Sequence, residues 1–317
     1  MGGTQRQGPP LLTQEEGATW LAEKVVAGTP FAAGKLGTAE CEAICFYLSC
    51  RRPDMPEKKP YPAHILQHMF LNAGLFPATE ATLDAYVVYM ATAVLPALDG
   101  VAEWNPCMPF QEGVLLTNHA PRAVRFPARS LEPYYTAGPE NRWSLVATGG
   151  SSAASAERPP LAVVSPFAAT IGAQWPQQER VWSNGPAVWL PSNIHVVRTG
   201  YSPELAGDKP TCAWPRAVRE GGWSTAIRWM ADSVQASGAK LAIIGCGALS
   251  LPLCVALKSR GISAIHTGGA TQILFGVKGG RWETHSVIST FFNDAWVRPS
   301  TAEVPTHAGM VEHSCYW

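Results

Sequence analysis

Residues 240–269, KLAIIGCGALSLPLCVALKSRGISAIHTGG, constrain this chain most. Leu241 to Ile244 form an unbroken apolar run, the pattern of a strand covered on both faces. Gly245, Cys246 and Gly247 then break the run, residues 249–259 have helical length and composition, and residues 263–266 form a second apolar strand. A strand, a crossover helix and a second strand within thirty residues imply parallel pairing, since parallel neighbours need such a connection. Residues 161–165 (LAVVS), 194–198 and 31–36 supply further buried strands. The expected fold class is therefore α/β, a Rossmann-like parallel sheet flanked by helices.

Between these strands the chain reads as helical at 11–27, 39–49, 64–72, 80–98 and 224–237. Thr13 and Glu16 form a capping-box pair at the first helix. Residues 166–180 read as a turn into a helix, and 268–277 as a Gly-flanked helix or loop. From 101 to 160 the text is irregular, with a short strand expected at 114–117. The low-complexity run TGGSSAASAERPP predicts a mobile loop at 148–160, and the polar first ten residues predict a flexible tail. No linker divides residues 11–317, so a single domain is expected.

Lys plus Arg and Asp plus Glu each number 24, so the net charge is zero, and charged residues are only 15% of the chain. A surface this neutral offers no footprint for a nucleic acid polymer. The 46% hydrophobic content excludes disorder. The greasiest stretch, 241–257, is broken by Gly245, Gly247 and Pro252, so no membrane span is expected. The first ten residues hold no apolar run of a secretory signal. None of the eight cysteines forms a CxxC pair, which predicts free thiols in the reducing cytoplasm.

The chemistry-bearing residues cluster where strands end. Gly245, Gly247 and Ala248 open a helix after a strand, where free N–H groups and the helix dipole suit a phosphate. The spacing approaches the GxGxxG fingerprint, but Ser250 replaces the third glycine. His266 and Thr267 stand where a dehydrogenase needs an acid for the ribose. A dinucleotide turn, a purely structural turn and a phosphate site of another kind all remain open readings. Gly268 and Gly269 follow, and then Lys278 and Arg281 lie beside glycines, positioned to counter a diphosphate. Trp282 either stacks on a base or sugar or belongs to the core. After the strand at 31–36 come Gly37, Thr38 and Glu40, which place a carboxylate at a helix start: dipole compensation or a ligand-binding acid. Ser165 ends another strand, without the GxSxG context of a nucleophile. His64 and His68, four residues apart, read as surface or core histidines.

Five segments resemble a known family: FAAGKLGTAECEAI, LAVVSPFAATIGAQW, residues 241–283, FFNDAWVRPS and VEHSCYW. They are similar to glycosyltransferase-like proteins of the GT-D fold type, a group found in bacteria and large viruses. The resemblance spans most of residues 30–317 and is loose over 50–160. It implies transfer of a sugar from a nucleoside-diphosphate sugar, a UDP-sugar, to a hydroxyl on a glycan or other acceptor, with a divalent cation, Mn²⁺. The family associates an Asp-x-Glu motif after the first strand with metal and donor. The matching residues here are Thr38, Ala39 and Glu40, so the Glu is kept and the Asp is replaced. One carboxylate holds a hard cation only with help from substrate phosphates. Asp294 is a candidate second acid. On this reading Gly37, Thr38, Ser165, Gly245, Gly247, Ala248, Gly268, Gly269, Lys278 and Arg281 contact the donor, while Glu40 and His266 are the candidate bases. The alternatives are another nucleotide-dependent enzyme, a methyltransferase or dehydrogenase, and a nucleotide-sugar-binding protein without catalysis.

Overall fold

In a computed structural model that describes residues 10–135, 159–185 and 193–317, seven strands form one sheet, in the order β3-β2-β1-β7-β6-β4-β5. They are β1 (Ala32–Lys35), β2 (Gly100–Glu103), β3 (Val124–Pro127), β4 (Leu161–Ser165), β5 (Ile194–Arg198), β6 (Leu241–Ile244) and β7 (Ser263–His266). Every pairing is parallel, in keeping with the unbroken apolar runs of β4 and β6.

The alternation of the strands explains the two layers. Ala162, Val164, Ala242 and Ile244 point to one face and pack with α2 (Thr38–Cys50), α4 (Glu80–Tyr89), α7 (Arg216–Ala236) and α8 (Ser250–Lys258). Leu161, Val163, Leu241 and Ile243 point to the other and pack with α1 (Gln14–Ala27) and α6 (Ala168–Gln174), joined by Trp182, Trp282 and Trp296. Several tryptophans are thus core residues. Trp182 and Trp296 meet edge-on at 5.3 Å, an aromatic geometry that adds to area burial.

Thr13 caps α1 with both arms of the capping box in place. The helical reading of 64–72 resolves into α3 (Ala63–Gln67) followed by a π turn, His68–Asn72. The reading of 80–98 resolves into α4, a π turn at Met90–Val94 and a last turn, Leu95–Ala97. The helix expected from 224 begins earlier, at Arg216, and is broken at Gly222, where φ is +72°. Residues 114–117 are not a strand: they lie inside α5 (Pro109–His119). Pro109 starts that helix at a position that tolerates a missing N–H, and Leu115 and Leu116 face the core. Of the tail expected at 1–10 and the loop expected at 148–160, residues 1–9 and 148–158 lie outside the described residues. Among the described residues no helix is long and apolar enough to cross a membrane. All eight cysteines are free.

The connections diverge between β4 and β6. β4 leads outward to β5, whereas β6 leads back to β7. In open parallel sheets such a divergence, at the carboxyl ends of the strands, leaves a crevice.

Candidate functional site

A cleft of about 420 Å³ occupies that position. β1 supplies Lys35 and the turn Gly37, Thr38 and Glu40, and the residue after β2 supplies Trp104. β4 supplies Ser165 and Phe167, β5 supplies Tyr201, and β6 supplies the Gly245-Cys246-Gly247 turn. β7 supplies His266, Gly268 and Gly269. Arg281, Glu312, Tyr316 and Trp317, all beyond the last strand, close one wall. The fold thus gathers ten of the candidates read from the sequence: Gly37, Thr38, Glu40, Ser165, Gly245, Gly247, His266, Gly268, Gly269 and Arg281.

Two of the donor candidates sit elsewhere. Lys278 does not reach the cleft, because its N–H donates to the Val297 carbonyl at 2.8 Å in a bridge between Val277 and Val297. Its ammonium lies over the Phe292 ring, 5.8 Å from the centroid. Ala248 lies beneath the cleft, with its N–H on the Ala73 carbonyl and its own carbonyl accepting from the Tyr86 hydroxyl, both at 2.8 Å. Trp282 is core, packed on Gly269 and on Tyr316. Asp294 is exposed and does not line the cleft. His64 and His68 share the Glu42 carboxylate at 2.9 and 3.6 Å on the outside of α2 and α3, although His68 also reaches the cleft rim.

The Gly245 turn is built differently from a phosphate cradle. The Gly245 N–H donates to Val164 at 2.9 Å, and the Cys246 N–H donates to the Ser250 hydroxyl at 3.0 Å. With the Ala248 N–H also taken, three of these four amides are bonded inside the protein. Ser250, out of place in a dinucleotide fingerprint, is there to accept Cys246. The close approach that excludes a side chain at Gly245 is to Gly268 and Thr271, so the two glycine turns pack on each other.

Glu40 stands in the first turn of α2, 8% exposed. Burial pushes its carboxyl above the usual range, and hydrogen bonding at its own backbone amide opposes this only in part. Thr38 turns its hydroxyl to Asn105 Oδ1 at 3.4 Å. His266 is 6% exposed, and burial drives its imidazole down to about 4, with the Lys35 charge adding to the effect. Its Nδ1 lies 3.1 Å from the Ile244 carbonyl and 3.2 Å from the Gly268 N–H. A ring with this lowered value is neutral near pH 7 and a weak proton acceptor.

The positive charge comes from Lys35 and Arg281. Lys35 Nζ lies 3.4 Å from Glu132 and 4.7 Å from the centre of the Trp104 ring. Arg281 pairs with Glu312, donates to the Tyr316 hydroxyl at 3.0 Å and stacks on that ring at 4.6 Å. Sequence reading missed Lys35, although its place at the end of a buried strand was a signal. It also missed Trp104, Tyr201, Glu312, Tyr316 and Trp317, which join the wall only through tertiary folding.

By itself the donor set does not complete the shell of a divalent cation. Glu40 and Glu312 are the only side-chain carboxylates lining the cleft among the described residues, and Glu312 is held by Arg281. The residue at the position of the expected Asp, Thr38, is turned to Asn105. The described residues contain no group of three or more His, Cys, Asp or Glu placed to hold a metal ion. A hard cation takes six or more oxygens, and where one or two carboxylates hold it, substrate phosphates and water complete the shell.

No family model matches this chain, and neither a curated protein nor a solved structure matches it.

Proposed function

We propose that the chain is a glycosyltransferase that moves a sugar from a nucleoside-diphosphate sugar, in the first instance a UDP-sugar, to a hydroxyl acceptor. The observation that carries this reading is the meeting of two cations, one buried carboxylate and several aromatic rings in a cleft at the carboxyl ends of the strands. A diphosphate calls for the cations, a base and a sugar stack on rings, and an acceptor hydroxyl calls for the carboxylate.

In the reaction the bond between the anomeric carbon and the diphosphate oxygen breaks, and its electron pair leaves with the nucleoside diphosphate. The acceptor oxygen bonds to the anomeric carbon, and its proton passes to ionised Glu40. Lys35 and Arg281 offset the charge that grows on the leaving group. That electrostatic contribution is the larger one, because a diphosphate departs without protonation when its charge is met. The neutral His266 ring fixes the turn at Gly268. The methyltransferase and dehydrogenase readings draw less support, since they depend on free amides in the Gly245 turn.

The test is a thermal-shift screen with UDP-, GDP-, CMP- and dTDP-sugars, S-adenosylmethionine and NAD(P), each with and without Mn²⁺. A nucleotide sugar at a hundred times its Kd should stabilise the protein by about 2.7 kcal/mol, and donor turnover should follow with a hydroxyl acceptor. If no nucleotide sugar shifts the melting temperature, the reading fails. Stabilisation without turnover would leave the nucleotide-sugar-binding alternative.

A further inference from the structure

Each cation in the cleft is held by one carboxylate from outside the sheet, Lys35 by Glu132 and Arg281 by Glu312. The two cations flank one turn. A Cβ built on Gly268 would lie 3.0 Å from Lys35 Cε, and one built on Gly269 would lie 3.5 Å from Tyr316, the ring on which Arg281 stacks. An anion lying over Gly268 and Gly269 would therefore meet an ammonium on one side and a guanidinium on the other. Each cation already accepts one negative partner, Glu312 within the cleft and Glu132 outside its lining.

Both resident pairs are made to exchange. The Lys35 and Glu132 contact, at 3.4 Å, is long for a charge-assisted hydrogen bond. The Arg281 and Glu312 side chains are 37% and 51% exposed, so solvent screens their attraction. Glu312 also begins three successive residues with left-handed backbone, Glu312, His313 and Ser314, at φ of 41°, 54° and 63°. None of them is glycine, and each carries a steric cost that the contacts of this segment must hold in place. By contrast, the N-terminus of α6 is closed to ligands. Glu303, 4% exposed, accepts from the Ala169 and Thr170 N–H groups at 2.6 and 3.2 Å.

We propose that Lys35 and Arg281 hold a diphosphate over Gly268 and Gly269 without a metal ion, exchanging Glu132 and Glu312 for its oxyanions. The two side chains thereby take the place of the divalent cation that the GT-D resemblance implies and whose shell the donor set does not complete by itself. The inference rests on the transferase reading only for the identity of the diphosphate as a leaving group; the anion site stands on the geometry alone.

The experiment is calorimetric titration of the full chain with inorganic pyrophosphate in EDTA at fixed ionic strength. Lys35→Met, Lys35→Arg, Arg281→Met and Glu312→Gln are compared with the wild type, and circular dichroism checks that each is folded. Wild type should bind pyrophosphate in EDTA. Losing either cation should weaken binding by about tenfold or more, the scale of a charge-assisted contact. Lys35→Arg should retain most of the affinity, and Glu312→Gln, which frees Arg281 on an exposed segment, should bind more tightly. The proposal is overturned if wild type binds only when Mn²⁺ is added, or if Lys35→Met binds as wild type does. Should Lys35→Met fail to fold, unchanged affinity in Glu312→Gln overturns it. Pyrophosphate binding with no response to any nucleotide sugar would sink the transferase reading and keep the anion site. Nucleotide sugars that bind only with Mn²⁺ would do the reverse.

Discussion

Gly247 sits against the carbonyl of Ala73, the residue that ends the π turn after α3. The same carbonyl accepts the Ala248 N–H at 2.8 Å, and Gly247 holds φ at +60°. The glycine of the sharpest motif in the sequence is thus required by the protein's own backbone, before any ligand arrives.

Gly247→Ala should therefore destabilise the fold by about 2–4 kcal/mol, adding overlap with the Ala73 carbonyl to the left-handed penalty. Gly261 is the control: its φ is +80° with nothing within 4 Å of a Cβ. Gly261→Ala should cost only about 1–2 kcal/mol. Urea unfolding at unchanged slope measures both. Equal losses would mean that the Ala73 contact relaxes freely.

Glu303 gives a second stability test. Its carboxylate accepts two N–H groups at the start of α6 and the Thr170 hydroxyl as well. Glu303→Gln replaces one acceptor oxygen by an amide that faces donors. A loss of about 2–3 kcal/mol is expected from the missing charged acceptor and the uncapped helix end. A variant as stable as wild type in chemical denaturation would show that water replaces the clamp.

How far the sequence reached follows the physics of each element. β4 and β6 are legible because strands covered on both faces are apolar throughout, as LAVVS and LAII are. β2 (GVAE) and β3 (VRFP) are not, because they lie toward one edge of the sheet and carry Glu103 and Arg125, which pair with each other. The apolar run at 114–117 reads as a strand by composition and is a helix by context. In the site, Glu40 and the glycine turns are legible because they adjoin strand ends. Arg281 lines the cleft and Lys278 does not. The two are three residues apart, and the Val277 and Val297 bridge that turns one away involves a residue twenty positions downstream. Lys35 was in view within AGKLGTAECE, yet its charge has meaning only once Arg281 is folded opposite.

Buried His266 predicts a pH dependence. In the unfolded chain the imidazole takes a proton near 6.5, and in the folded protein near 4. A lowered folded value means that stability is fully present above 6.5 and is lost as pH falls toward 4. The loss in that window is about 3 kcal/mol. Asp84 acts at lower pH. Burial alone would raise its carboxyl, but Arg51, Lys58 and Tyr61 hold it below its ordinary value of 3.8. Its contribution therefore falls away only in stronger acid. Between pH 7 and 4 wild type should lose about 3 kcal/mol more unfolding free energy than His266→Gln does. The same slope in both would assign the dependence to other groups.

Glu40→Gln separates catalysis from stability. Burial raises the folded value of this carboxyl above the unfolded 4.5. Below 4.5 the group is protonated in both states and carries no penalty. As pH rises through its folded value, the unfolded chain gives up the proton more readily, and the fold loses stability. Gln imitates the protonated acid at every pH, so the variant should match wild type near pH 4 and exceed it at pH 8. Donor turnover should fall by about 10² to 10⁴, the usual share of a general base, while nucleotide binding persists through Lys35 and Arg281. Denaturation at the two pH values and a turnover assay decide the matter together. A variant less stable than wild type at pH 8 would mean that a partner in the fold stabilises the Glu40 carboxylate more than burial penalises it.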